Sequence, residues 1–333
     1  MRTFTRRHFL QSAGATCTLA GLPAWAADAF PAKPLTLVVP YPAGGASDAS
    51  ARIFAESFTQ SLNQQVIVEN YGGGTGLIGA NKVLSAPADG YTFLHGSPNE
   101  VILPPMLNPA ARYKPWDFVF AAPITTASIV LLVRNGIPAG TMDEFLDYAR
   151  QQKDKPLTYA SVGIDSLYHL MGDALAMRLN LPFLHVPYKG AAPALQDLAG
   201  GQVDFGILPY QTSFDGMQAQ GRLKVISSFS KDMAPGLKHI APITQSKQIP
   251  DFVHEIGGGY FMRKGTPADR VAALRKAIGE AVVKPEIRCR LEAEGRKVAQ
   301  PTETQAQADA AFKEMTDRIA ALLKVLGRKN LAL

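Results

Sequence analysis

From Leu35 onward, short β-branched runs alternate with segments whose apolar residues recur at helical spacing, and this alternation restricts the chain to few folds. Residues 35–40 (Leu-Thr-Leu-Val-Val-Pro) predict a buried strand, and 49–62 the helix that follows. The unit recurs as strand 65–68, helix 77–85 and strand 91–95, and again as strand 129–133 with helix 142–152 capped by Thr141. Strands at 157–161, 183–187, 203–208 and 225–228 continue it, with helices around 169–179 and 192–198. Repeated βαβ units imply a parallel sheet covered by helices on both faces. A turn-rich stretch leads to Gly265, and Pro267 opens a helical C-terminal part. No repeat of 20 to 50 residues is evident, which excludes solenoids. Two doubly wound halves with a cleft between them fit this order.

The chemistry of such a fold sits in the loops at the carboxyl ends of strands. The first, Gly44-Gly45-Ala46-Ser47-Asp48, leads into a helix N-terminus, where unpaired N–H groups and the helix dipole favour an anion. The bland alternative is a turn capped by Ser47 or Asp48. The second loop, Gly72-Gly73-Gly74-Thr75-Gly76-Leu77-Ile78-Gly79, contains a Gly-x-Gly-x-x-Gly string and resembles the dinucleotide fingerprint. Its strand is the second of the fold, and no acid ends the next strand at His95, so a second anion-facing loop or a tight structural turn competes with nucleotide binding. The third loop carries Ser161, Val162, Gly163, Asp165 and Ser166 before a helix bearing His169, with Asp165 expected to cap that helix. The fourth holds Tyr188 and Lys189.

Before the first strand, Arg6 and Arg7, an apolar stretch and Ala24-Trp25-Ala26 form a signal peptide of the twin-arginine type, so the mature chain begins near Ala27, in the periplasm. Cys17 leaves with it, and Cys289 alone cannot form an intrachain disulfide. Loss of Arg2, Arg6 and Arg7 from 34 basic residues leaves 31 against 28 acidic, a charge of about +3 in place of +6. No basic run is interleaved with aromatics, so nucleic acid is not an expected partner. The six histidines lack metal-ligand spacing, Cys289 has no partner group, and no Gly-x-Ser-x-Gly elbow occurs. Backbone-rich loops without a catalytic group describe a receptor, with neither cofactor nor metal.

Taken in order, the segments 38–52 (VVPYPAGGASDASAR), 66–80 (VIVENYGGGTGLIGA), 86–92 (APADGYT), 159–170 and 185–204 (HVPYKGAAPALQDLAGGQVD), with Gly265-Thr266-Pro267-Ala268, resemble the Bug family of periplasmic solute-binding proteins, receptors of tripartite tricarboxylate transporters. The resemblance covers nearly all the mature chain. It implies an α/β fold of two doubly wound lobes joined by a hinge, a Venus flytrap, with residues 27–125 and 240–333 in one lobe and 126–239 in the other. It implies a small carboxylate held by backbone groups and waters, and a monomer that delivers it to membrane transporter subunits. Carried over by position, the ligand would meet Tyr41, Gly44, Gly45, Ala46, Ser47 and Asp48 on one side and Ser161, Val162, Gly163 and Ser166 on the other. Gly76, Leu77, His169, Tyr188, Lys189 and Pro209 complete the candidate set. Tyr71 and Leu77 stand where the family often has arginine and asparagine, and the run 206–210 is apolar where it often has an aspartate, which points to a more hydrophobic or aromatic carboxylate. An exported NAD(P)-dependent oxidoreductase and a solute sensor for a signalling partner are the alternatives.

Overall fold

β1 (Leu35–Val39) sends side chains to two cores: Leu35, Leu37 and Val39 to one face, Val38 to the other. Such alternation with both faces dry is what a central strand with helices on each side requires. The computed structural model describes residues 30–328 except Lys153; the expected signal segment 1–26 lies outside the described residues. After β1 come α1 (Ala46–Ser61), β2 (Val66–Asn70), α2 (Leu77–Ser85), β3 (Thr92–Gly96), α3 (Pro98–Val101) and α4 (Leu103–Leu107). A long β4 (Phe118–Arg134) leads to α5 (Met142–Gln151), β5 (Leu157–Ser161), α6 (Leu167–Leu179), β6 (Phe183–Pro187), α7 (Ala191–Ala199), β7 (Phe205–Pro209), α8 (Ser213–Ala219) and β8 (Leu223–Ser228). The chain returns through β9 (Glu255–Arg263), α9 (Ala268–Val283), α10 (Pro285–Ala293), β10 (Arg296–Val298) and α11 (Gln305–Val325).

The strand order is β2-β1-β3-β9-β4-β7-β5-β6, with β8 and β10 also on β4. β1 pairs in parallel with β2 and β3, and β5 with β6 and β7, as two wound halves require. β9 and β4 run antiparallel to their neighbours, so the sheet is mixed rather than wholly parallel. Three features hid this in the sequence. Gly257-Gly258-Gly259 inside β9 reads as a turn, Pro123 interrupts the pattern of β4, and β10 is three residues long. β4 therefore extends far upstream of the strand expected at 129–133. Its first part pairs with β9 and β10, its last part with β7 and β8.

Each lobe has a packed core. Phe54 and Phe58 of α1 meet Phe93 and Tyr260 with ring centroids 5.1 to 6.2 Å apart, all fully buried. A fully buried side chain of this size contributes roughly 1.5–3 kcal/mol. In the second lobe Tyr159, Phe145, Phe183 and Phe205 form a second aromatic cluster, with both stacked and edge-to-face contacts. Thr141 caps α5 in a reciprocal pair with Glu144, as the sequence predicts. The boundary expected at residue 240 falls within a segment tied to the second lobe. Ser246 Oγ donates to Asp143 at 2.5 Å, and Arg178 grips Asp251 at 2.6 and 3.0 Å. Pairing with the first sheet resumes at Glu255, opposite Ser128.

Candidate functional site

α1 begins without a side-chain cap: Gly45 is the N-cap residue, in extended backbone, and neither Ser47 nor Asp48 fills that role. The N–H groups of Ala46, Ser47 and Asp48 therefore have no acceptor within the helix. α7 of the other lobe also starts from a glycine without a side-chain cap, Gly190. The two ends come close, since a Cβ on Gly190 would lie 3.0 Å from Pro42. Between the lobes is a cleft lined by residues of both. The lobes touch around it: Leu167 N–H of α6 donates to Asn99 Oδ1 at 2.8 Å, and Thr75 Oγ1 donates to the Ile164 carbonyl at 2.7 Å.

Arg296, the first residue of β10, reaches into the cleft wall and is 7% exposed. Its Nη2 donates to the Ala46 carbonyl at 2.6 Å and Nη1 to Thr125 Oγ1 at 3.4 Å, while Nε has no partner. Among the described residues both hydrogen-bond partners are neutral oxygens, and Glu294, the carboxylate that acts on this cation through space, makes no ion pair with it. Burial pulls its pKa below the usual arginine range, and such burial is costly unless a negative group completes the site. His95 of β3, also on the wall, has an unpartnered Nδ1. Burial first and the Arg296 charge second hold its pKa down to about 3, so the ring is neutral at physiological pH.

Glu100 is the acid of the same wall, 1% exposed. Ser97 caps α3, and its N–H and Oγ donate to Glu100 Oε2 at 2.5 and 2.7 Å, while the Tyr41 hydroxyl donates to Oε1 at 2.5 Å. Burial outweighs these donors and pushes the carboxyl up to about 7. Ile124 and Ala127 of β4, Val162, Pro209 and Ile256 make the rest of the wall largely apolar, with Tyr168 among them.

The structure brings six of the sequence-derived candidates to this cleft: Tyr41, Gly45, Ala46, Ser47, Val162 and Pro209. Others stand behind it. Gly44, in the left-handed region, donates its N–H to Asp48 Oδ2, and Asp48 also accepts from Arg52 and Asn70. Burial would raise the Asp48 pKa, but these partners prevail and hold it low. Ser161 Oγ bonds to Gly163 and to His185 Nε2, at 2.7 Å for the latter. Ser166, and not Asp165, caps α6 through its hydroxyl, because the left-handed backbone of Asp165 turns its N–H toward His169 Nδ1 at 3.0 Å. His169 is stacked on His185 with centroids 3.9 Å apart. Tyr188 donates to Asp197 at 2.7 Å, and Lys189 is exposed.

The second loop is a packing device. A Cβ on Gly72 or Gly79 would lie 2.7 Å from Pro42 or Pro40, and one on Gly76 would collide with the Glu100 side chain. Gly76 and Leu77 stand outside the wall residues, and the glycines serve close approach. Sequence reasoning missed His95, Asn99, Glu100, Tyr168 and Arg296. Only Ser97-Pro98-Asn99-Glu100 carried a signal, as a capping box that marks a helix start.

Residues 50–327 match the model of the tripartite tricarboxylate transporter family receptor. A UPF0065 protein of the tcbD-tcbE intergenic region in Pseudomonas sp. (strain P51) is 34% identical over 96% of this chain and 94% of its own. The periplasmic binding protein BugD superimposes with a TM-score of 0.82 at 30% identity, covering 90% of this chain and 99% of its own. MatC from Rhodopseudomonas palustris with bound malate gives 0.80 at 27% identity, covering 88% and 100%. The chain belongs to the tripartite tricarboxylate transporter receptor family, whose members are solute-binding receptors and not enzymes. That membership replaces the oxidoreductase reading.

Proposed function

Starting from this membership, we propose that the protein is a periplasmic receptor that closes its two lobes on a small carboxylated organic solute and delivers it to a tripartite tricarboxylate-type membrane transporter. The observation that carries the reading is Arg296, a buried cation beside the uncapped start of α1 with neutral oxygens as its partners. A ligand carboxylate there would meet the guanidinium and the free N–H groups of Ala46 and Ser47 at once. The start of α7 could contribute from the other lobe, so one anion would bridge both lobes and favour the closed form. The bound malate of MatC is consistent with such chemistry. Hinge points at 126–128 of β4 and at 253–255 before β9 follow from the change of pairing partners.

A thermal-shift screen of organic acids tests the reading. Binding to the folded state raises stability by about 2.7 kcal/mol at a hundredfold excess over Kd. Arg296→Met should leave the fold intact and lose that stabilisation; a variant that keeps full affinity would remove the arginine from the site. The receptor is exported as a monomer through its twin-arginine signal. Replacing Arg6 and Arg7 by lysine should trap precursor in the cytoplasm, and normal periplasmic levels of that variant would point to ordinary secretion.

A further inference from the structure

Resting on the receptor reading, we infer that the ligand is a monocarboxylate with a hydrogen-bond donor at its far end, and that Glu100 selects it against dicarboxylates. Among the described wall residues Arg296 is the one cation and Glu100 the one acid, while His95 is neutral. One ligand carboxylate satisfies Arg296. A second would find no cation left and would meet Glu100 instead.

The surroundings of Glu100 make it an acceptor. Tyr41 O–H, Ser97 N–H and Ser97 O–H all donate to it, and Oε1 receives a single bond where a carboxylate oxygen can accept two. The groups packed around it are Tyr41, Tyr113, whose hydroxyl bonds the Glu100 carbonyl, Asn99 and Tyr168, and none of these is cationic. The Gly76 backbone packs closely against its side chain, leaving no room there for even a Cβ. A hydroxyl or an ammonium group on the ligand would use the open acceptor site. The apolar strip of Ile124, Val162 and Ile256 suits a short methylene or ring body between the two polar ends.

The test is isothermal titration of the purified mature protein at pH 8 with length-matched acids: hexanoate, 6-hydroxyhexanoate, 6-aminohexanoate and adipate, and their four-carbon counterparts. At one length at least, a donor-bearing acid should bind ten times or more tighter than the dicarboxylate and than the plain acid. In Glu100→Gln, which keeps the shape and an acceptor oxygen, the ratio to the dicarboxylate should fall below threefold. The hydroxy and amino arms tell which donor is preferred. A wild-type protein that binds adipate or succinate as tightly as the donor-bearing acids overturns the inference, as does an unchanged ratio in folded Glu100→Gln. Should that variant not fold, the wild-type ratios decide alone. If dicarboxylates bind and the inference fails, the receptor reading survives; if no organic acid binds in this panel or the wider screen, both fall.

Discussion

Burying a carboxyl group among phenols and a serine leaves Glu100 with a proton affinity far above that of an exposed glutamate. Its folded pKa of about 7 exceeds the ordinary value of 4.5, so the folded state holds the extra proton between those limits. Stability from this group is full below pH 4.5, declines as pH rises toward 7 and is level above it. The difference corresponds to roughly 3 kcal/mol at most, at about 1.4 kcal/mol per pH unit. His95 acts in the opposite sense, since its pKa near 3 makes protonation below pH 6.5 unfavourable to the fold. Glu100→Gln separates the two. Its stability relative to wild type should grow from pH 5 to pH 8 in urea melts; parallel pH profiles for the two proteins would contradict the assignment.

At the scale of elements, the βαβ units were legible because strand and helix periods differ and each unit is local in sequence. β9 was not legible, because three successive glycines read as a turn; at one of them the reason is close approach, since a Cβ on Gly259 would collide with the Ala122 carbonyl and with Phe120. The cleft was half legible. The α1 loop could be found from its glycines, whereas Glu100 and Arg296 lie nearly 200 residues apart and share a wall only through the crossing of β3, β4 and β10. The loop 72–79 has a further role that its glycine pattern concealed, since it places Thr75 against the opposite lobe. The Thr75 to Ile164 bond should contribute about 1 kcal/mol to the closed form. Thr75→Ala is therefore expected to weaken ligand affinity about fivefold while Thr75→Ser keeps it, with the melting temperature of the ligand-free protein little changed. Equal affinity in both variants would show that the bond does not bias closure.

For the whole molecule, the two wound halves are separate in their parallel strands but not in their chain. β4 supplies its first part to one sheet and its last part to the other, with irregular register near residues 121–124 and at Leu131–Leu132. Irregularities of this kind bend a strand without breaking its ladder. The shared strand also bears on how the protein melts. A strand that is an interior member of two sheets cannot be surrendered by one without exposing the flank of the other, so the lobes should lose structure in a single calorimetric transition. Two resolved transitions would mean that the halves are energetically independent despite the strand that joins them.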